Sequence, residues 1–99
     1  MADAVQERFR ELVARWKADR PASSSSARQL AMDPAYQSII GMGEQVVPLI
    51  IAELEREPDH WFIALHAITG ADPVKPGHAG RICLMAKDWS EWAQAAGIR

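Results

Sequence analysis

The 99-residue sequence predicts an all-α fold with about five helices, and two observations support this fold class. Apolar residues recur at steps of three and four along most of the chain, which is the periodicity of a helix with one buried face. No stretch shows the alternating pattern, bounded by hairpin turns, that marks a strand. The hydrophobic fraction of 48% and the charged fraction of 24% are typical of a globular protein, and 99 residues suffice for one domain.

The first helix is predicted at about residues 4–19, and Pro21 ends it. The segment 21–26, PASSSS, is predicted to be a linker, because serines bury little and compete for their own backbone hydrogen bonds. Ser26 and Gln29 then have the spacing of a capping box, which predicts a short helical turn. The apolar stripe of the first helix comprises Val5, Phe9, Leu12, Val13 and Trp16.

The central part of the chain, about residues 34–70, contains three predicted helices. Asp33 and Pro34 mark the start of the first of them, which ends at the glycines of the 41–43 segment. The second opens with Pro48 in its first turn and is apolar almost all round, so we expect it to be central. After Pro58, Asp59 is predicted to cap the third, whose stripe comprises Trp61, Ala64, Leu65 and Ile68.

An irregular loop at residues 70–80 and a final helix at about 81–96 complete the predicted domain, which spans residues 1–99. The final helix contains Cys83, which we interpret as a buried structural cysteine, because no histidine lies at a spacing that would make it a nucleophile. One cysteine cannot form an internal disulfide bond, which favours a reducing, cytoplasmic location.

The middle of the chain resembles a HEAT-type helical repeat unit over about residues 36–70. A helix that ends in apolar residues and glycine, a helix that opens with an apolar residue and proline, and an aspartate before a helix rich in alanine and leucine follow in the order of such units. The resemblance implies a helical hairpin at the centre of the domain. The residues that carry it are the runs 39–43 and 46–50, Leu54, Asp59, Trp61, Ala64, Leu65 and Ile68.

The whole chain also resembles a group of small bacterial all-helical proteins. The shared pattern is AYxxIIxMG, PLI, an acidic turn, P-x-x-WFxAL, ITGxDPV and a final helix rich in tryptophan. This resemblance implies a fold and no particular activity.

The distribution of charge suggests a protein partner. The formal net charge is −2, and residues 31–60 carry six acidic side chains and one basic one. Glu53, Glu55 and Glu57 form an acidic turn at the end of a helix, where the helix dipole disfavours them. The turn is either a solvated face or a docking surface for a basic protein. Trp92 lies at the edge of its helical stripe and is the candidate for a half-exposed aromatic anchor, whereas Trp16, Trp61 and Trp89 fall on core stripes.

Two further patterns are candidate binding sites. Lys75, His78 and Arg81 lie beside glycines and before a helix, an arrangement that can bind an anion but is equally typical of a polar loop. The first helix also carries basic residues that suggest nucleic-acid binding as an alternative function, although glutamates interrupt them. These residues are Arg8, Arg10, Arg15, Lys17 and Arg20.

The sequence therefore predicts a small cytoplasmic protein without enzymatic activity that binds a partner protein, for example a regulator of the antitoxin kind. No acid–base or nucleophile constellation is present. His60 and His66 are six residues apart and do not share a helix face, so we expect no metal and no cofactor. No apolar run approaches the roughly 20 residues of a membrane-spanning helix, so no membrane association is expected.

Overall fold

The computed structural model of the protein describes residues 2–20 and 26–98. Within these ranges the chain forms α-helices and a short 3₁₀ helix with no strand, so the all-α prediction is confirmed. The Ser-rich linker prediction lies outside the described residues, except for Ser26. The helices are α1 (Ala2–Ala18), α2 (Ala27–Ala31), α3 (Pro34–Gly41), the 3₁₀ helix (Gly43–Val46), α4 (Val47–Arg56), α5 (Phe62–Thr69) and α6 (Ile82–Ala95).

Local sequence signals set several helix ends as predicted. The Ser26 hydroxyl accepts a hydrogen bond from the Gln29 N–H, and the Gln29 side chain accepts one from the Ser26 N–H, which completes the capping box of α2. Asp33 caps α3 by accepting a hydrogen bond from the Ala35 N–H at 2.8 Å. Gly70 ends α5 with φ of 73°, a conformation that glycine adopts without steric cost.

The core is built around an aromatic cluster that joins three helices. Trp16 of α1 packs 5.0 Å from Tyr36 of α3 and 4.6 Å from Trp61, measured between ring centroids. Phe9 lies 5.9 Å from Trp61 on the other side. Such offset and tilted pairs add to the free energy gained by burial alone. The cluster fixes α1 against α3 and places α5, which follows Trp61, against α3.

The amino end of α5 is capped by a side chain from another helix. The Tyr36 hydroxyl accepts a hydrogen bond from the Ala64 N–H at 2.9 Å and donates one to the His60 carbonyl at 3.0 Å. Burial raises the pKa of Tyr36 well above its usual value, so the hydroxyl keeps the proton that it donates. The prediction that Asp59 caps this helix is wrong, because α5 begins at Phe62. The Asp59 carboxylate instead accepts hydrogen bonds from the His60 N–H and from Arg20.

The interpretation of Cys83 as a buried residue is also wrong, because its side chain is exposed. The buried side chains of α6 include Ala86, Trp89 and Ala93, whose directions cluster on one side of the helix. At about 100° per residue, Cys83 lies about 90° from the centre of that stripe.

No helix in the described ranges is long and apolar enough to cross a membrane.

Candidate functional site

A groove of about 630 Å³ runs between α1 and α4. Each helix contributes side chains at steps of three and four, so two helical stripes face each other across it. On α1 the stripe extends over 12 residues, from Gln6 to Lys17, which is about 16 Å along the helix axis. The lining residues are Gln6, Phe9, Arg10, Val13, Ala14 and Lys17 of α1, and Leu49, Ala52, Glu53 and Arg56 of α4.

The floor of the groove is apolar. Phe9 and Val13 are buried against the core, and Leu49 is half-buried on the facing helix. Ala14 and Ala52 are exposed and small, so they leave space above this floor rather than filling it. A concave groove between two helices with an apolar floor is typical of a site that receives an apolar side chain of another molecule.

The rim of the groove is cationic, with three basic side chains against one carboxylate. Arg56 donates two hydrogen bonds to Glu53, at 3.0 and 2.6 Å, and Lys17 lies 3.8 Å from the same carboxylate. The hydrogen bonds from Arg56 lower the pKa of Glu53, and the charges of Lys17 and Arg10 add to this effect. Arg10 is exposed and has no carboxylate within 4 Å among the described residues.

The acidic turn is largely paired within the chain. Glu53 is bound by Arg56, and Glu57 lies 3.0 Å from Lys17 of α1 and 4.0 Å from Arg56. The Ser90 hydroxyl donates a hydrogen bond to Glu55. These contacts explain why three glutamates are tolerated at the carboxyl end of a helix, where the dipole disfavours them. They also leave less negative charge for a basic partner than the sequence suggests.

The predicted anion site is occupied by a carboxylate of the chain itself. Asp88 of α6, whose side chain is 1% exposed, accepts hydrogen bonds from the Lys75 N–H at 3.1 Å and from His78 Nδ1 at 2.7 Å. The Lys75 ammonium lies 3.8 Å from Asp88 and 3.3 Å from Glu91. Of the three predicted residues, Arg81 is exposed and makes no contact with a carboxylate among the described residues.

Asp88 therefore anchors the 70–80 loop to α6. Burial acts to raise the pKa of Asp88, but the hydrogen bonds from His78 and Lys75 and the nearby Lys75 ammonium outweigh burial and lower the pKa. The sequence shows Asp88 only as a charged residue next to Trp89, so its partners in the preceding loop were not predicted.

Trp92 is half-buried, as predicted, and packs edge-on against Trp89 with ring centroids 5.2 Å apart. It lines a second cavity of about 300 Å³ near the carboxyl end of the chain. Glu44, Val47, Pro48, Thr69 and Ile98 line the same cavity. The cavity is separate from the groove, because the two share no lining residue.

The basic residues of α1 do not form one surface. At about 100° per residue, Arg8 and Arg15 lie on one side of the helix, whereas Arg10 and Lys17 lie about 160° away on the groove side. Arg20 is turned inward, where its guanidinium lies 4.4 Å from the centre of the Trp16 ring and 2.7 Å from Asp59. In the described part of the chain, no three His, Cys, Asp or Glu side chains are placed to hold a metal ion.

The groove itself was missed by the sequence analysis. The residues of its α1 stripe were partly assigned to the core, and Arg10 and Lys17 were grouped with the other basic residues of the helix. One pattern points to it: Gln6, Arg10, Ala14 and Lys17 flank the apolar stripe on one side at helical spacing. Periodicity alone does not show that α4 lies across from this flank.

Comparisons with protein-family models, with curated proteins and with solved structures found no significant match. The resemblance of residues 36–70 to a HEAT-type unit stays a prediction, because no repeated unit is evident among the described helices.

Proposed function

We propose that the chain is a small protein-binding domain without enzymatic activity, and that it holds an amphipathic helix of a partner protein in the groove between α1 and α4. The observation that carries this proposal is the groove between two facing helical stripes, with an apolar floor and small alanines that leave it unfilled. A regulator of the antitoxin kind, which acts by occupying a partner protein, is one example of this class.

The backbone around the groove favours a helical occupant over an extended one. The groove walls are helices, whose backbone N–H and C=O groups are already paired within each helix. An extended peptide finds no strand edge there, so its backbone groups cannot form a ladder of hydrogen bonds with the backbone of the protein. A helix satisfies its backbone groups internally and presents apolar side chains at steps of three and four, which match the stripes of the walls.

The acidic turn and the basic residues of α1 support the other two candidate functions less well. The docking of a basic protein on Glu53, Glu55 and Glu57 would compete with contacts that these side chains already make. Nucleic-acid binding along α1 would use basic residues that lie on opposite sides of the helix. Both stay predictions, and we propose the groove as the main binding surface.

Groove occupancy is tested by selecting displayed helical peptides on the wild-type protein and measuring their binding to two variants. Ala14→Trp fills the groove from an exposed position on α1, and Ala67→Trp places the same side chain at an exposed position of α5 outside it. The proposal predicts that the peptides bind wild type and Ala67→Trp equally, and bind Ala14→Trp at least about tenfold more weakly, because a large side chain occupies their site. Equal binding to all three proteins would contradict it.

A labelled duplex oligonucleotide measured in the same format tests the alternative function. Binding that weakens steeply with salt and is lost in an Arg8→Glu, Arg15→Glu variant would indicate a nucleic-acid surface on the far side of α1.

A further inference from the structure

We infer that the partner helix held in the groove is acidic along its flanks, with carboxylates that pair with Arg10 and the other cations of the rim. This inference rests on the proposed function, since it specifies the chemistry of the helix that the groove binds. It differs from the sequence-based expectation of a basic partner, because the groove is more positive than the chain as a whole. The net charge of the protein is −2, yet the groove lining has three cations and one carboxylate.

Arg10 makes the strongest contribution to this preference. Lys17 and Arg56 already face carboxylates of the chain, at 3.0 Å for Glu57 and 2.6 Å for Glu53. Arg10 is exposed and has no ion pair within 4 Å among the described residues, so an incoming carboxylate displaces no existing partner. A basic flank at the same position would meet this unpaired cation and be repelled.

The extent of the α1 stripe sets the length of the ligand helix. Arg10 and Lys17 are seven residues apart, which is about 10 Å along the axis of α1. A ligand carboxylate opposite Arg10 gains a cation without an ion pair within 4 Å among the described residues, whereas one opposite Lys17 shares that ammonium with Glu53 and Glu57. The stripe of α1 from Gln6 to Lys17 spans about three turns, so a helix of about 14 residues covers it.

A second copy of this chain is a poor occupant of the groove. Most dimers are symmetric, and a symmetric dimer would place the groove of one copy against the same groove of the other. The two rims, each with three cations and one carboxylate among its lining residues, would then face each other, and the excess of like charge costs binding energy. The positive rim thus favours a different protein with an acidic helix.

The inference is tested with three labelled peptides of about 14 residues that share leucines at alternating steps of three and four. Their flanking positions carry Glu in the acidic peptide, Gln in the neutral one and Lys in the basic one. Binding to the full-length protein is measured by fluorescence anisotropy at low and high salt, for wild type, Arg10→Glu, Arg15→Glu and Ala14→Trp. The control variant Arg15→Glu makes the same charge change on the same helix, about 140° around the helix from Arg10.

We expect the acidic peptide to bind wild type about tenfold more tightly than the basic one at low salt, with a smaller ratio at high salt. Arg10→Glu should reverse the order of the two peptides, and Arg15→Glu should leave it unchanged. If all three peptides bind wild type equally and Ala14→Trp abolishes their binding, the acidic preference is overturned while the groove remains the docking site. If no peptide binds, or Ala14→Trp has no effect, the proposed function fails together with this inference.

Discussion

At the scale of single residues, the Tyr36 hydroxyl illustrates how a helix end is satisfied by a distant side chain. The hydroxyl binds the Ala64 N–H and the His60 carbonyl, and Ala64 lies 28 residues away along the chain. Both Tyr36 and Ala64 are fully buried, so water does not replace the lost partner when the hydroxyl is removed. A buried donor without an acceptor carries the full cost of its desolvation.

Tyr36→Phe is therefore expected to destabilise the fold by about 1–3 kcal/mol while preserving the packing of the ring. The measurement is the free energy of unfolding from urea denaturation. Asp59→Asn is the informative comparison: it should weaken the contact with Arg20 but leave the amino end of α5 capped. A Tyr36→Phe protein as stable as wild type would show that the hydroxyl is not the cap of α5.

At the scale of elements, α5 has one buried side and one exposed side, and two of its residues allow a matched comparison. Leu65 is fully buried, whereas Ile63 on the same helix is 40% exposed. Leu65→Ala should cost about 2–5 kcal/mol, through lost burial and the cavity that it leaves. Ile63→Ala should cost less than half as much. Similar denaturation midpoints for the two variants would contradict this orientation of the helix.

The link between α6 and the 70–80 loop gives a prediction about pH. The pKa of Asp88 is lowered in the folded protein, so its stabilising effect is present above the unfolded pKa of about 3.9 and is lost as the pH falls below that value. Asp88→Asn should cost about 1–3 kcal/mol near pH 7, because the hydrogen bonds to a charged acceptor are lost.

The same variant should lose less stability than wild type as the pH is lowered from about 5 to 2, since one of the carboxylates that take up protons on unfolding is absent. Denaturation midpoints measured across this range check the sign. If the denaturation midpoints of Asp88→Asn and wild type fall equally as the pH is lowered, Asp88 does not contribute to the pH dependence of stability.

At the scale of the whole molecule, the positions of the helices along the sequence were predictable, but the contacts between helices were not. The ends of α2 and α3 depend on residues within three positions of each other, such as Ser26 with Gln29, so the local sequence contains the necessary signal. Buried stripes were predictable for the same reason, and Trp16, Trp61 and Trp89 are buried as expected.

Contacts between distant segments escaped prediction. Lys17 and Glu57 are 40 residues apart, and Arg20 and Asp59 are 39 apart, so no local pattern pairs them. The acidic turn therefore looked available in the sequence, although Lys17 and Arg56 face it in the fold. The groove depends on α1 and α4 facing each other across it, which helical periodicity does not specify.

The central claim is that the groove between α1 and α4 receives a helix, and the most direct test maps the contact residue by residue. The full-length protein labelled with ¹⁵N is titrated with the acidic amphipathic peptide, and backbone amide shifts are followed by two-dimensional NMR. We predict that the largest shift changes fall on the facing stripes, at Arg10, Ala14 and Lys17 of α1 and at Ala52 and Arg56 of α4. Changes concentrated at Trp92 or in the 70–80 loop, with the two stripes unaffected, would contradict the account.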